Sequence, residues 1–283
     1  MIEISSIYQS ARNVHCHRSA LRQICLGALA LSLSGCDWMG MYEKEKWIAA
    51  TSRPGWDTFT FKGQLPAEFG IDAIAFYGPN DPDKASCQTV AFYEPGKTVT
   101  RHHIEEYTAE IKAQPQGFSF EIPLSYYKGL CGMNLGRVKL EINVQYGDEK
   151  WQKTYANGNL FISKAANDDT TAFPSSGKLD ITTQCSFTFQ ESKLNFGIDK
   201  FMKCKAKRIH LLNSNLSKKQ INLSIEVDAN EKPYYDQTWI KFQSGWKPCL
   251  PKEGAWIKCQ SPPLFKTFKM NGQICTIYPG CTE

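Results

Sequence analysis

Residues 137–147, RVKLEINVQYG, alternate polar and apolar side chains along an unbroken run. The apolar positions are Val138, Leu140, Ile142 and Val144. Because successive side chains of a β-strand point to opposite faces, this spacing places all four apolar groups on one face. The pattern is typical of a half-buried strand in an antiparallel sheet.

Further strand-like runs lie on both sides of this stretch, separated by turn signals such as GPNDPD and EPGK. They are DTFTFKG (57–63), IDAIAFYG (71–78), QTVAFYE (88–94), GFSFEIPL (117–124), GNLFIS (158–163), KLDITTQCSFTFQ (178–190), FMKCKAKRIHLL (201–212), QINLSIEVD (220–228) and YYDQTWIKFQ (234–243). The chain is therefore expected to be mainly β, with two antiparallel β-sandwich-like domains stabilised by disulfides. We expect these domains at 52–163 and 178–283, joined by a polar linker at 164–177. One stretch, 101–114, is interpreted as a helical insertion.

The chain has 283 residues and a net charge of +5, but its charge is unevenly distributed. Residues 43–158 contain 13 Lys and Arg against 15 Asp and Glu, whereas residues 178–283 contain 16 against 9. This basic surplus suits an acidic protein surface or anionic lipid headgroups, and it is below the dense clustering typical of nucleic-acid binding. An ordinary solvated basic surface is the alternative.

The beginning of the chain has the polarity of a signal peptide. Arg12, Arg18 and Arg22 precede residues 24–34, an uncharged segment rich in Leu and Ala. This segment suits the core of a signal peptide and is too short for a permanent membrane helix, which needs about 20 apolar residues. Residues 1–35 are therefore expected to be removed as a signal peptide.

The apolar segment ends in Leu33-Ser34-Gly35-Cys36, which resembles the lipobox of bacterial lipoproteins. The resemblance implies cleavage between Gly35 and Cys36 and acylation of Cys36, which would anchor the protein stably through two or three acyl chains. Residues 36–51 would then be a lipidated tether on the periplasmic side of a membrane. Asp37 resembles an inner-membrane retention signal, so the inner membrane is favoured over the outer one. The alternatives are a plain secretory signal, or a buried apolar element in which Cys36 has no special role.

Cysteine usage agrees with an oxidising compartment, because eight cysteines remain after Cys16, Cys25 and Cys36 are set aside. Eight cysteines allow many connectivities, and pairing between neighbours in sequence is our prediction. The predicted pairs are Cys87 with Cys131, Cys185 with Cys204, Cys249 with Cys259, and Cys275 with Cys281. Zinc is the rival interpretation, but no C-x-x-C pair occurs and the cysteine-rich tail contains no His.

No motif for catalysis stands out, so the protein is expected not to be an enzyme and to need no cofactor. The three histidines beyond residue 36 have no G-x-S-x-G elbow near them. His102, His103, Glu105 and Glu106 are ligand-type residues and form a candidate metal site. Adjacent histidines on a strand point to opposite faces and H-E-x-x-H spacing is absent, so a polar loop is favoured and no metal site is predicted.

Tyr and Trp residues interleaved with Lys near the C-terminus offer a different kind of site, since aromatic and basic side chains dominate binding hot spots. The candidate partner-binding residues are Tyr234, Tyr235, Trp239, Lys241, Trp246, Lys247, Trp256 and Lys258. The alternative is that half or more of these aromatic residues belong to the core.

These features favour a membrane-anchored periplasmic lipoprotein that binds a protein partner and not nucleic acid. Its organisation is similar to that of periplasmic immunity lipoproteins, which neutralise antibacterial effectors delivered by type VI secretion. A scaffolding lipoprotein of the envelope or of a secretion apparatus is the first alternative. A cell-wall or glycan hydrolase using a pair of carboxylates is the second.

Overall fold

A computed structural model describes residues 43–91, 94, 96–192, 194, 197–205 and 208–281. The predicted signal peptide, the lipobox, Cys36 and Asp37 lie outside these residues. The fold is mainly β, as the alternating sequence pattern predicts. Within the described part of the chain, no helix combines the length and the apolar content that a membrane span needs.

Residues 43–53 and 128–130 form a small compact unit. Residues 43–50 are helical, so this part of the expected tether is folded. Ile48 is buried, and Ser52 Oγ donates a hydrogen bond to the Ile48 carbonyl oxygen over 2.6 Å. That bond satisfies one of the carbonyl groups that a helix C-terminus leaves without a backbone partner.

Ten strands precede residue 164. They are β1 (Arg53–Pro54), β2 (Thr58–Leu65), β3 (Phe69–Pro79), β4 (Gln88–Val90), β5 (Thr98–Thr100), β6 (His103–Ala109), β7 (Gln116–Pro123), β8 (Ser125–Lys128), β9 (Cys131–Gln145) and β10 (Lys153–Ser163). The stretch with the clearest alternation lies in β9, the longest strand, where every second residue from Val138 to Val144 is buried.

Ten further strands follow. They are β11 (Lys178–Glu191), β12 (Ile198–Lys205), β13 (Ile209–Leu212), β14 (Gln220–Pro233), β15 (Trp239–Phe242), β16 (Gly245–Pro248), β17 (Pro251–Lys252), β18 (Ala255–Cys259), β19 (Phe268–Met270) and β20 (Gln273–Cys275). The last six are short and form three two-stranded hairpins.

Two larger sheets carry the fold. The seven-stranded sheet has the order β1-β8-β9-β10-β13, with β3 pairing with β9 and β6 pairing with β3. The five-stranded sheet has the order β12-β11-β14-β2-β7. One core cluster takes side chains from both sheets, among them Phe59 and Phe61 of β2 and Val138 of β9, in a sandwich-like arrangement.

The expected division into domains at 52–163 and 178–283 is wrong, because both sheets contain strands from before and after residues 164–177. In the five-stranded sheet β14 pairs with β2, and in the seven-stranded sheet β13 pairs with β10. Both pairings are parallel, so the sheets are mixed and not purely antiparallel. A strand from one half of the chain therefore pairs with a strand edge of the other half. In an isolated half, the backbone N–H and C=O groups of that edge would have no partner.

The segment expected to be a free linker is also attached to a sheet. Thr171 N donates to the carbonyl oxygen of His210 over 2.7 Å, next to a parallel bridge between Thr170 and His210. Residues 164–177 therefore form a crossover from β10 in one sheet to β11 in the other.

The helical insertion expected at 101–114 is also wrong, because this stretch contains strand β6. Exposed and half-buried residues alternate from His103 to Ala109 with the period of a strand. β6 pairs with β3 alone among the described strands, so one of its faces can be polar.

A smaller second core combines residues of β11 and β12 with residues that follow β14. It consists of Phe189, Ile198, Trp239, Phe268, Cys275 and Tyr278. The hairpins around it contain few long strands, and two disulfides lie among them. This agrees with the small number of alternating runs in the C-terminal sequence.

All four predicted disulfides are confirmed: Cys87–Cys131, Cys185–Cys204, Cys249–Cys259 and Cys275–Cys281. Cys185 and Cys204 are directly opposite each other in the antiparallel pair of β11 and β12. Such a cross-strand position brings the two side chains close enough to bond.

Candidate protein-binding surface

Three of the predicted binding residues, Tyr234, Tyr235 and Trp256, form a continuous series of rings. The Tyr234 and Tyr235 centroids are 4.9 Å apart at an interplanar angle of 80°. The Tyr235 and Trp256 centroids are 5.4 Å apart at 81°. Edge-to-face packing of this kind is favourable because the positive edge of one ring meets the negative face of the next. We call these three residues the aromatic ladder.

The aromatic ladder is exposed. Relative exposure is 43% for Tyr234, 37% for Tyr235 and 66% for Trp256. The two tyrosines follow β14 directly. Trp256 lies on β18, which also contains Cys259. The disulfide between Cys249 and Cys259 therefore restrains the hairpin of Trp256. The exposed rings are thus held by fixed backbone, which lowers the entropy cost of binding through them.

Lysines lie at the tyrosine end of the ladder and close to its tryptophan. Lys203 Nζ is 5.5 Å from the centroid of the Tyr234 ring, a cation–π contact. Lys258, two residues after Trp256 on β18, is exposed. The combination of aromatic rings and exposed ammonium groups suits a partner surface that carries carboxylates.

A cleft of about 530 Å³ adjoins the ladder. Tyr235, Trp256 and Lys258 line it together with Trp239. Lys266 also lines the cleft and forms an ion pair with Glu191. The cleft is large enough to accept a protruding side chain or loop of a partner.

Trp239 is predicted to contact a partner, yet only 4% of this residue is exposed, so little of its surface reaches the cleft. Its ring packs edge-on against Phe189, with centroids 5.0 Å apart, and against Phe268 at 5.3 Å. Trp239 is the first residue of β15, where its side chain turns into the smaller core. Trp239 therefore contributes to stability. At this position the alternative interpretation is correct, namely that some of these aromatic residues belong to the core.

Trp246, Lys241 and Lys247 lie on a second hairpin, formed by β15 and β16. Trp246 is partly buried against the smaller core, and Lys241 Nζ is 5.6 Å from its ring centroid. Lys247 Nζ lies 5.6 Å from the ring of Phe242. No described ring contact joins these residues to the aromatic ladder, so the eight predicted residues do not form one cluster.

Two further exposed aromatic residues, one on this hairpin and one outside it, are not among the residues predicted from the sequence. Phe242 and Phe265 are 40% and 44% exposed, and their centroids are 5.5 Å apart in an edge-on contact. Phe242 lies in the same aromatic stretch as Tyr234 and Trp239, which was a usable signal. Nothing in the sequence around Phe265 indicates that it meets Phe242.

The histidine cluster considered for metal binding is built into the packing of β6. His103 Nε2 is 2.9 Å from Glu105 Oε2, and the His103 ring stacks on Tyr126 at 3.6 Å. Glu106 follows Glu105 and so points to the opposite face of the strand. Among the described residues, no group of three or more His, Cys, Asp or Glu is arranged to hold a metal ion.

Tyrosines near His103 are ordinary buried phenols and not activated groups. Burial raises the pKa of Tyr77 far above its usual value, and the Tyr77 hydroxyl donates to the Pro123 carbonyl oxygen over 2.9 Å. Burial also raises the pKa of Tyr107 to about 12, with a further increase from the carboxylate of Glu105. Both hydroxyls are therefore protonated at neutral pH, which suits packing more than acid–base catalysis.

No protein-family model, no curated protein and no solved structure matches this chain.

Proposed function

We propose that this protein is a lipid-anchored periplasmic module that binds a protein partner, and that it acts as an immunity protein against an antibacterial effector. The observation that carries the proposal is the exposed aromatic ladder of Tyr234, Tyr235 and Trp256 beside a cleft. Large aromatic residues rarely stay exposed side by side without a partner, and Tyr and Trp are the residues most enriched in binding hot spots.

The proposed mechanism is occlusion. The ladder and the neighbouring cleft would cover the active cleft of the effector, with affinity from desolvated rings and a faster association rate from lysine charge. Lys203 and Lys258 favour a partner whose contact surface is acidic. Such a role needs a rigid surface and no catalytic group.

The proposed location has separate support. Four disulfides are typical of proteins in oxidising compartments such as the periplasm. The lipobox resemblance at Leu33-Ser34-Gly35-Cys36 adds a membrane anchor, and Asp37 favours the inner membrane. The test is labelling with palmitate, which should enter the wild type and fail to enter Cys36→Ala. Equal labelling of both proteins would overturn the anchor.

Copurification from membranes tests the partner-binding role. The full-length protein is cross-linked in its native host, purified, and its partners are identified by mass spectrometry. We expect one envelope-acting toxin to copurify with the wild type and to be lost with the double variant Tyr235→Ala/Trp256→Ala. Trp56→Ala is the matched control, because Trp56 is 91% exposed and lies outside the cleft beside the ladder.

Three outcomes would count against this proposal. An unchanged set of partners in the double variant would exclude the aromatic ladder as the binding surface. Recovery of envelope-assembly or secretion components in place of a toxin would favour the scaffolding alternative. Deletion of the gene should also make the host sensitive to its own effector, and unchanged survival would contradict the immunity role.

A further inference from the structure

A second cleft lies apart from the aromatic ladder and has a different chemistry. It is about 610 Å³ in volume and is lined by residues of three segments: the turn between β9 and β10, the start of β12, and the stretch from β19 to Pro279. This volume lies within the range of about 300–1,000 Å³ that is usual for small-molecule sites. None of the residues predicted to bind a partner lines it.

One wall of this cleft carries an aromatic ring that is free to stack. Trp151 is 40% exposed, and in the described part of the chain its ring stacks on no other aromatic ring. Tyr146 and Tyr278 line the same cleft. Tyr278 is held in place by stacking on Phe189, with centroids 4.0 Å apart. The cleft thus offers one exposed aromatic face and two fixed aromatic walls.

Beside Trp151, the amide of Gln152 leaves a donor unused. Gln152 is 8% exposed, and its Oε1 accepts a hydrogen bond from Glu149 N over 2.9 Å. Its Nε2 donates to no atom of the described residues. This nitrogen is not fully enclosed, so a polar ligand in the cleft can accept a hydrogen bond from it.

Lys200 provides a second fixed donor. Its Nζ is 2.7 Å from Glu231 Oε1 and lies 5.9 Å and 5.7 Å from the ring centroids of Tyr146 and Tyr278. An ammonium group has three N–H donors, and the bond to Glu231 uses one of them. The other two donors belong to a side chain that lines the cleft. Glu231, Tyr146 and Tyr278 hold this side chain in place.

The charges around the cleft balance. Lys200 is paired with Glu231, and Lys269 is offset by Glu149 in the same lining. A site for a phosphate, a carboxylate or an acidic peptide would have a positive surplus, which this cleft lacks. Its chemistry suits an uncharged ligand that has many hydrogen-bonding groups and one apolar face.

We propose that this cleft binds an uncharged oligosaccharide. A pyranose ring places its C–H groups on the exposed face of Trp151, while its hydroxyl oxygens accept hydrogen bonds from Gln152 Nε2 and Lys200 Nζ. This combination uses the free ring, the unused amide and the fixed ammonium group together. It goes beyond the proposed partner binding and does not depend on it.

Calorimetry with defined sugars tests this inference. The full-length protein is purified in a detergent without a sugar headgroup and titrated with cellotetraose, maltotetraose and tetra-N-acetylchitotetraose. We expect saturable binding of at least one sugar. Saturation-transfer NMR on that complex should show the strongest contacts at ring C–H protons, since these pack on the indole.

Two variants separate the contributions. Trp151→Ala should weaken binding about tenfold, because it removes the stacking surface. Gln152→Glu keeps an oxygen for Glu149 N and removes the Nε2 donor, so it should also weaken binding several-fold. Trp56→Ala is the matched control and should bind as the wild type does. Tyr235→Ala/Trp256→Ala should retain sugar binding, which distinguishes this site from the partner-binding surface.

Three results would overturn the inference. The first is that none of the three sugars binds at millimolar concentration. The second is that Trp151→Ala binds sugar as well as the wild type does. The third is that a penta-glutamate peptide binds in place of a sugar and that its binding depends on Trp151. Circular dichroism of each variant confirms that the fold is intact before binding is compared.

Discussion

Lys200 and Glu231 form an ion pair across an intervening strand. Lys200 lies on β12 and Glu231 on β14, and β11 runs between these two strands in the sheet. Their charged atoms are nevertheless 2.7 Å apart. The hydroxyl of Tyr278 donates to the other carboxylate oxygen of Glu231, so the pair also attaches the end of the C-terminal region to this sheet.

Removal of this carboxylate is expected to destabilise the fold. Both side chains are about one-fifth exposed, so Glu231→Gln would leave Lys200 mostly buried without its counter-charge. We expect the free energy of unfolding to fall by about 1 to 3 kcal/mol, the range for hydrogen bonds to charged groups. Urea denaturation followed by tryptophan fluorescence measures this change.

The matched control is the exposed pair of Lys97 and Glu94, whose Nζ–Oε2 distance is 2.8 Å. These side chains are 59% and 63% exposed, so solvent screens their attraction. Glu94→Gln should change stability by less than about 1 kcal/mol. If Glu94→Gln costs as much as Glu231→Gln, the burial argument fails.

Trp239 and Trp256 should respond in opposite ways to truncation. Trp239→Ala removes a ring from the smaller core and is expected to lower the free energy of unfolding by about 3 to 5 kcal/mol. Trp256→Ala removes a ring that is 66% exposed and should change stability by about 0.5 kcal/mol or less. Chemical denaturation measures both variants, and a large loss for Trp256→Ala would mean that the ladder is structural.

The four disulfides should differ in their contribution to stability, because the chain segments that they close differ in length. The segments between paired cysteines range from 44 positions for Cys87–Cys131 to 6 for Cys275–Cys281. By the chain-entropy relation, replacing both cysteines by Ala should cost about 4 kcal/mol for the first pair and about 2 kcal/mol for the second. Thermal unfolding of the two double variants tests this order.

Alkaline pH should destabilise the protein through its buried tyrosines. Burial raises the pKa of Tyr107 from 10.0 to about 12, so the folded state holds this proton more tightly than the unfolded chain does. The contribution of this group to stability is complete below pH 10 and is lost as the pH rises toward 12. The Tyr107→Phe variant should therefore lose less stability over this interval than the wild type.

Stability measured by urea denaturation at several pH values tests this dependence. Tyr155→Phe is the matched control, because it removes the same hydroxyl group from a side chain that is 57% exposed. Identical profiles for Tyr107→Phe and the wild type would contradict the assignment.

Local features of the fold could be predicted from the sequence because they depend on neighbouring residues. Alternation from Val138 to Val144 identified the longest strand, and pairing of sequence neighbours identified all four disulfides. Pairing between distant strands could not be predicted in this way. The parallel contacts of β2 with β14 and of β10 with β13 depend on how the whole core packs, and no short pattern encodes them.

The binding surface was predictable only as a list of candidates. The sequence contains the same kind of aromatic and lysine pattern around Trp239 as around Trp256, yet one ring is 4% exposed and the other 66%. The difference arises because Trp239 meets Phe189 and Phe268, which are far from it in sequence. The cleft at Trp151 and Gln152 had no sequence signal, since its walls come from three segments that are distant in sequence.

The pairing of β2 with β14 also has a consequence for folding kinetics. Asp57, next to β2, and Ser217, just before β14, are 160 positions apart and joined by a hydrogen bond of 3.2 Å. A chain with such high contact order must close large loops before its stabilising native contacts form. Because loop closure costs entropy, we expect this protein to fold slowly. Until β14 joins the sheet, β2 has one open edge, and that interval is when a chaperone would protect this protein most.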